Sequence, residues 1–175
     1  MDRRALTSYT ERYEKLSKEF PLNRKLHPDI KKRLGVQDED MIWHIEYRGN
    51  EKFHLAKAYG GICFSGNFED YAYVLKTRAE QMTTGFVVQG DGTINALYDH
   101  EYAHMLSGDI TLSLSDDDRR EFYRQMKDEV YGKQGMSEYA TSNEEEFFAE
   151  GFSAWYGGEG TEFAKAFGTF IKRWL

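Results

Sequence analysis

The chain contains very little cysteine: of its 175 residues, Cys63 is the only one. A single cysteine excludes an internal disulfide and favours a reducing compartment. Long apolar runs are also missing, because none approaches the roughly 20 residues that cross a bilayer. Residues 1–6 lack the apolar core of a signal peptide. We therefore expect a cytoplasmic protein without a membrane partner.

The chain also carries fewer positively than negatively charged residues. The 23 Lys and Arg residues against 30 Asp and Glu residues give a net charge of -7, which argues against a nucleic-acid partner. The composition, 40% hydrophobic and 15% aromatic, is sufficient for a packed core. Because repeats and low-complexity linkers are also absent, we predict one domain, 1–175, with a helical N-terminal segment over about 1–40 and a core over about 41–175.

The most informative motif is His100-Glu101-Tyr102-Ala103-His104. Residues four apart lie on the same face of a helix, so His100 and His104 can bind one ion together. Glu101 is rotated by about 100°, which suits a base beside a metal rather than a ligand. The alternative is an exposed polar helix face without a metal. The flanking residues are apolar, however, and they predict a buried helix, in which these polar groups need partners.

A second apolar helix supplies two further carboxylates, Glu146 and Glu150. A site with two histidines needs a third ligand and an open position for water, and Glu146 is the best candidate for that ligand. Glu144 and Glu145 are explained by the preference for carboxylates at a helix N-terminus. Glu150 lies one turn deeper, where an unpaired carboxylate would cost several kcal/mol. We therefore predict that it orients a liganding histidine.

The remaining pattern predicts a helix-rich chain. Helices are expected over about 2–19, 29–35, 67–82, 93–107, 143–156 and 159–174, with another that Ser115 opens and Asp118 caps. Strands are expected over about 41–48, 62–65 and 86–89, and about 52–59 fits either type. One face of the helix over 67–82 carries Tyr71, Val74, Leu75 and Arg78. The predicted fold class is α+β, with a small mixed β-sheet.

Taken together, the two helical segments resemble the catalytic domain of anthrax lethal factor and its relatives, which include the clostridial Pro-Pro endopeptidase. In that group an HExxH helix is followed by a tyrosine, an asparagine and an E-F-F-A-E-type helix, and 137–152 matches this order. The resemblance implies a zincin-like fold with one zinc ion per chain. By this resemblance the zinc ligands are His100, His104 and Glu146. Glu101 is the general base, Tyr139 the active-site tyrosine and Glu150 the supporting carboxylate.

Similar domains are attached to phage minor head proteins and to toxin polyproteins, and 60–65 together with 94–104 looks particularly like those. The resemblance implies a peptide or protein substrate, with phage structural proteins as further candidate partners. The resemblance also makes a virion-associated location an alternative to the cytoplasmic location. If the chain is a mature or excised domain, the expected location is secreted. One departure is Ala103, where the family often has glycine; it alters no ligand position.

The predicted function is that of a zinc-dependent endopeptidase of the gluzincin type. The alternative is a non-catalytic zinc-binding domain with a structural or interaction role in a phage virion or polyprotein. A structural zinc site usually has a fourth protein ligand, and neither motif has another cysteine or histidine beside it. A candidate edge strand for an extended substrate is formed by Ile62, Cys63, Phe64 and Ser65. The alternative is that this strand lies in the interior of a sheet.

Overall fold

The structure is a computed structural model that describes residues 3–40, 42–47, 59–64 and 71–175. Within these ranges the elements are α1 (Arg3–Glu19), α2 (Pro28–Leu34), β1 (Ile42–Tyr47), β2 (Tyr59–Phe64), α3 (Tyr71–Thr84), α4 (Asn95–Leu112), α5 (Asp116–Val130), α6 (Glu144–Tyr156) and α7 (Glu162–Ile171). Short 3-10 turns lie at Asp38–Asp40 and Tyr139–Thr141. Among the described helices, none combines the length and the apolar character needed to cross a membrane.

The predicted α+β fold class was wrong, because the described part of the chain is helical and contains no mixed β-sheet. The strands found in the described ranges are a single parallel pair, in which Ile42 of β1 is opposite Tyr59 of β2. The strand predicted over about 86–89 is an irregular segment. Its backbone carbonyl at Phe86 accepts a hydrogen bond of 2.8 Å from the N–H of Tyr139 in the loop before α6, so it does not pair with a strand.

Side-chain caps fix the N-termini of α5 and α6, the first of them at the predicted Ser115. The Ser115 hydroxyl oxygen accepts a hydrogen bond of 3.1 Å from the N–H of Asp118, which fixes the start of α5. The Asn143 carbonyl oxygen accepts a hydrogen bond of 2.9 Å from the N–H of Glu146 in the same way. Because Asn143 sets the first residue of α6, it also sets the direction in which the Glu146 side chain leaves that helix.

The core is built around α4, which is buried on nearly all sides. Tyr98 and Tyr102 are fully buried on this helix, although tyrosine usually keeps part of its ring exposed. The helices α5, α6 and α7 contribute a dense set of buried aromatic side chains: Phe122, Phe148, Phe152, Phe163, Phe167 and Phe170. This packing holds α4 and α6 against each other, and those two helices carry the predicted metal ligands.

The N-terminal segment packs against the side of α4. The rings of Tyr9 and Tyr98 meet edge to face, with centroids 5.0 Å apart. Arg12 binds the carboxylate of Asp99 side-on, with Nε donating to one oxygen at 2.7 Å and Nη2 to the other at 2.6 Å. Further along, Arg24 pairs with the buried Asp109 at 3.1 Å. The segment therefore supports the helix that carries both motif histidines.

Candidate metal centre

Three predicted ligand atoms converge between α4 and α6. The Nε2 atoms of His100 and His104 are 3.2 Å apart. Oε2 of Glu146 lies 3.0 Å from Nε2 of His100 and 3.4 Å from Nε2 of His104. These three residues form the one cluster of potential metal ligands found among the described residues. The i, i+4 spacing on α4 and the first turn of α6 are sufficient to build this triangle.

The triangle has the dimensions that a tetrahedral zinc site requires. With ligand bonds of about 2.0–2.1 Å, tetrahedral geometry places neighbouring ligand atoms about 3.3 Å apart, and the three separations here are 3.0, 3.2 and 3.4 Å. Oε2 of Glu146 is buried and has no well-directed hydrogen bond in the described part of the chain. Its short distances to two imidazoles are therefore better explained by a shared cation than by ordinary hydrogen bonds. The residues fit a zinc ion.

The His100 ring is oriented by Glu150, whose side chain is 0% exposed. Nδ1 of His100 lies 2.8 Å from Oε1 of Glu150. Oε2 of Glu150 accepts hydrogen bonds from the N–H of Val88 at 2.7 Å and from the Ser137 hydroxyl at 2.6 Å. A carboxylate that accepts three hydrogen bonds is ionised, so Nδ1 donates its proton to Glu150 and Nε2 is the ring nitrogen that faces Glu146.

The electrostatics of the centre follow from these contacts. Burial alone lowers the pKa of His100, but the carboxylates of Glu146 and Glu150 outweigh it and raise this pKa to about 9. Burial raises the pKa of Glu146 and of Glu150, yet the facing histidines lower both below their usual value. Without a metal, the centre therefore keeps its carboxylates ionised and holds a second proton on the His100 ring, at Nε2. A bound metal has to displace that proton.

Glu101 and Tyr139 lie beside this triangle. The Tyr139 ring stacks on the His100 ring at 5.8 Å with an interplanar angle of 19°. The Phe86 ring also stacks on the Tyr139 ring, with centroids 5.4 Å apart. Burial, and next the charge of Glu146, raise the pKa of Tyr139 to about 12, and Glu101 contributes to the same shift. The phenol therefore remains protonated at neutral pH and is available as a hydrogen-bond donor.

Sequence reasoning did not assign several groups that the structure brings to this region. Ser137 and the Val88 N–H hold Glu150, Phe86 supports Tyr139, and Arg78 of α3 acts on Glu101 and Glu150 through its charge. Arg78 lies on the helix face that also carries apolar residues, and this pattern could have indicated that Arg78 is buried. The backbone N–H of Val88 left no signal, because an amide donor does not depend on residue type.

The candidate substrate strand is described in part. Ile62, Cys63 and Phe64 belong to β2, and they are opposite Ile45, Glu46 and Tyr47 of β1. Ser65 lies outside the described residues. Among the described residues β2 pairs with β1 alone, and this observation does not decide between an edge and an interior strand. The substrate role of β2 remains a prediction.

The chain was also compared with known proteins. No protein-family model, no curated protein and no solved structure matches it. The resemblance to the lethal factor group rests on the two motifs and stays a prediction. The geometry of His100, His104, Glu146 and their neighbours is therefore the basis on which a function can be argued.

Proposed function

We propose that the protein is a zinc-dependent endopeptidase. The observation that carries this proposal is the triangle of His100 Nε2, His104 Nε2 and Glu146 Oε2, which has the size of a zinc site. A catalytic zinc site has three protein ligands and one open position. Within the described residues, no fourth histidine, cysteine or carboxylate joins the cluster. This arrangement favours catalysis over a closed structural site.

The neighbouring side chains suit peptide hydrolysis. A zinc ion bound at the centre would supply Lewis acidity, which polarises a carbonyl and acidifies water. Glu101 accepts the proton of the attacking water and delivers it to the leaving amine. The phenol of Tyr139 donates a hydrogen bond to the oxygen that becomes negative during the attack. Glu150 holds the His100 ring in the orientation and tautomer that a ligand requires.

The first test is zinc content, measured by elemental analysis after zinc loading and dialysis. The wild-type chain is expected to hold one zinc ion, and Glu146→Gln is expected to lose it, because an amide is a weaker ligand than a carboxylate. Glu145→Gln is the matched control, since Glu145 is exposed on the same turn of α6. Absence of zinc from the wild-type protein, or equal loss in both variants, would contradict the assigned ligand set.

Cleavage of a random peptide library by the same samples tests the catalytic part of the proposal. Wild-type protein is expected to cleave peptides and to stop when a chelator removes the zinc. Glu101→Gln is expected to keep zinc and to lose about a thousandfold in cleavage rate, the scale of a lost general base. Zinc binding without cleavage in the wild type would favour the non-catalytic alternative. Full activity in Glu101→Gln would remove Glu101 from the mechanism.

A further inference from the structure

Arg78 is a buried cation, and two of its guanidinium nitrogens have no hydrogen-bond partner among the described residues. Its side chain lies on α3, and the residue is 6% exposed. Nε and Nη2 of its guanidinium are both buried, and neither has a hydrogen-bond partner in the part of the chain that the structure describes. Buried donors without acceptors are costly, and a buried charge is normally paired. An anion bound beside Arg78 would therefore stabilise its buried charge.

The unpaired edge of Arg78 has a defined chemical preference. Nε and Nη2 lie side by side on one edge of the guanidinium, and this edge matches the two oxygens of a carboxylate. The protein already uses the same edge elsewhere, because Arg12 binds Asp99 through Nε and Nη2 at 2.7 and 2.6 Å. Arg78 thus presents the same edge of its guanidinium, and no carboxylate of the described residues is bound to it.

The groups around Arg78 do not fill this fork. Its electrostatic neighbours are Glu150, Glu101 and Tyr139. The oxygens of Glu150 already accept hydrogen bonds from His100, Ser137 and the Val88 N–H. Tyr139 carries no charge at neutral pH, because its pKa is raised to about 12 by burial and the nearby carboxylates.

Glu101 is the remaining neighbour. In the proposed function its carboxylate handles the proton of the attacking water, so a permanent pair with Arg78 would oppose that role. Arg78 therefore lies beside the reacting groups without belonging to them. An anion that arrives with the substrate satisfies both the buried donors and this location.

We propose that Arg78 binds a carboxylate of the peptide substrate through its Nε and Nη2 atoms. The carboxylate is an acidic side chain near the scissile bond or the C-terminal carboxylate, since both present the same pair of oxygens. This inference rests on the proposed function, because it names the substrate class of that same site. It makes Arg78 a residue that determines specificity.

The test is a binding experiment that does not need cleavage. Alanine pentapeptide amides carrying one glutamate at each position in turn are titrated against counterparts that carry glutamine. Free-acid and amide forms of the all-alanine peptide form the second arm, which separates a side-chain from a C-terminal carboxylate. Binding is followed through the Nε–H resonance of Arg78 in ¹³C,¹⁵N-labelled protein, both zinc-loaded and metal-free, and the resonance is assigned in the wild-type chain by correlation with the backbone of Arg78.

The expected result is a shift of the Arg78 resonance with one class of carboxylate peptide, bound at least about tenfold more tightly than its amide counterpart. Arg78→Met is expected to lose this preference, and Arg120→Met is expected to keep it, since Arg120 is exposed on α5. No shift with any carboxylate, or a preference that persists in Arg78→Met, overturns the inference. The wild-type resonance decides the matter even if Arg78→Met fails to fold.

The two proposals can fail separately. If the protein binds zinc and cleaves the library while the Arg78 resonance stays unmoved, the inference about Arg78 is overturned and the proposed function stands. If carboxylate peptides shift the Arg78 resonance in protein that binds no zinc, the anion site is supported and the peptidase proposal fails.

Discussion

At the scale of single residues, Glu150 is the most heavily used side chain of the centre. Its two oxygens accept hydrogen bonds from α4, from the segment before α4 and from the loop before α6, through His100, Val88 and Ser137. One buried carboxylate therefore ties together three parts of the chain that are distant in sequence. Its hydrogen bond with Nδ1 also fixes the direction of Nε2 of His100, the proposed metal ligand.

Replacing Ser137 with alanine removes one of these hydrogen bonds without touching a ligand. We expect zinc affinity to fall about tenfold, because partners of a liganding histidine tune its position and basicity. We also expect the metal-free protein to lose about 2 kcal/mol of unfolding free energy, as for a buried hydrogen bond to a charged group. Zinc titration against a competing chelator and urea denaturation measure the two effects.

Ser142→Ala is the matched control for Ser137→Ala. Ser142 lies in the same loop, is exposed, and has no bond to Glu150. It should leave zinc affinity unchanged. If Ser137→Ala binds zinc as tightly as the wild type, the hydrogen bonds to Glu150 do not set the geometry of His100.

At the scale of elements, the ligand triangle depends on close packing of α6 against its neighbours. Gly151 follows Glu150 directly and is buried. A Cβ atom there would overlap the ring of Phe167 on α7. The absence of a side chain at Gly151 therefore lets α6 and α7 approach closely.

Gly151→Ala sets two effects against each other. Alanine favours a helix over glycine by about 1 kcal/mol, whereas overpacking a dense core costs about 1–3 kcal/mol. The overlap is with a ring that is itself fully buried, so we expect overpacking to win and the unfolding free energy to fall. Gly160→Ala is the control, since a Cβ there meets nothing within 4 Å. Equal stability of the two variants, measured by thermal unfolding, would contradict this account.

The helices were largely predictable from the sequence, because their signals are local. The periodicity and caps placed α1, α6 and the start of α5 to within a few residues, and Ser115 and Asn143 cap as their side chains suggest. The i, i+4 spacing predicted that His100 and His104 share a face, which the structure shows at 3.2 Å. Glu146 could be nominated as their partner, but its distance to them depends on the packing of α4 against α6.

The sheet and the surroundings of the centre were less predictable. The run Phe86-Val87-Val88 has strand-like composition, but burial of both valines is satisfied equally by an irregular segment. The backbone of this run forms hydrogen bonds with Tyr139 and Glu150. These partners are more than 50 residues away, so no local sequence pattern reveals them. The same holds for Arg78, whose burial and unpaired donors depend on tertiary structure. Sequence patterns specify elements and leave the partners of polar groups undetermined.

At the scale of the whole molecule, the N-terminal segment is tied to the core by a buried ion pair. The Asp109 side chain is 2% exposed, and Arg24 faces it from the segment between α1 and α2. Nη2 of Arg24 also donates a hydrogen bond of 2.8 Å to the backbone carbonyl of Trp174. One guanidinium thus joins the N-terminal segment, α4 and the C-terminal end of the chain.

Arg24→Met is expected to lower the unfolding free energy by about 3 kcal/mol at pH 7, because it leaves a buried carboxylate unpaired. Arg33→Met is the control: its ion pair with Asp116 is about half exposed on both sides and should contribute little. Urea denaturation at several pH values measures both variants. A loss in Arg24→Met no larger than in Arg33→Met would contradict the structural role of Arg24.

The effect should depend on pH. Burial raises the pKa of Asp109, and Arg24 opposes that rise. When the pKa of a carboxyl group is higher in the folded than in the unfolded protein, its protonated form stabilises the fold. This contribution is complete at pH values below the pKa in the unfolded protein, about 4, and it is lost as the pH rises through the pKa in the folded protein. Without Arg24 the folded pKa rises further, so the loss continues to higher pH. The variant should therefore approach wild-type stability near pH 4 and diverge from it towards neutrality.

All three atoms of the ligand triangle come from two helices, and this has a consequence for protein design. Grafting His100 and His104 of α4 and Glu146 of α6 onto any scaffold that reproduces this helix pair should transplant the proposed zinc site. Tyr139 and Arg78, to which the proposals assign catalysis and substrate binding, come from other segments and would stay behind. Such a graft would carry the proposed zinc ligands alone, and adding the other segments stepwise would show which of them the proposed activity requires.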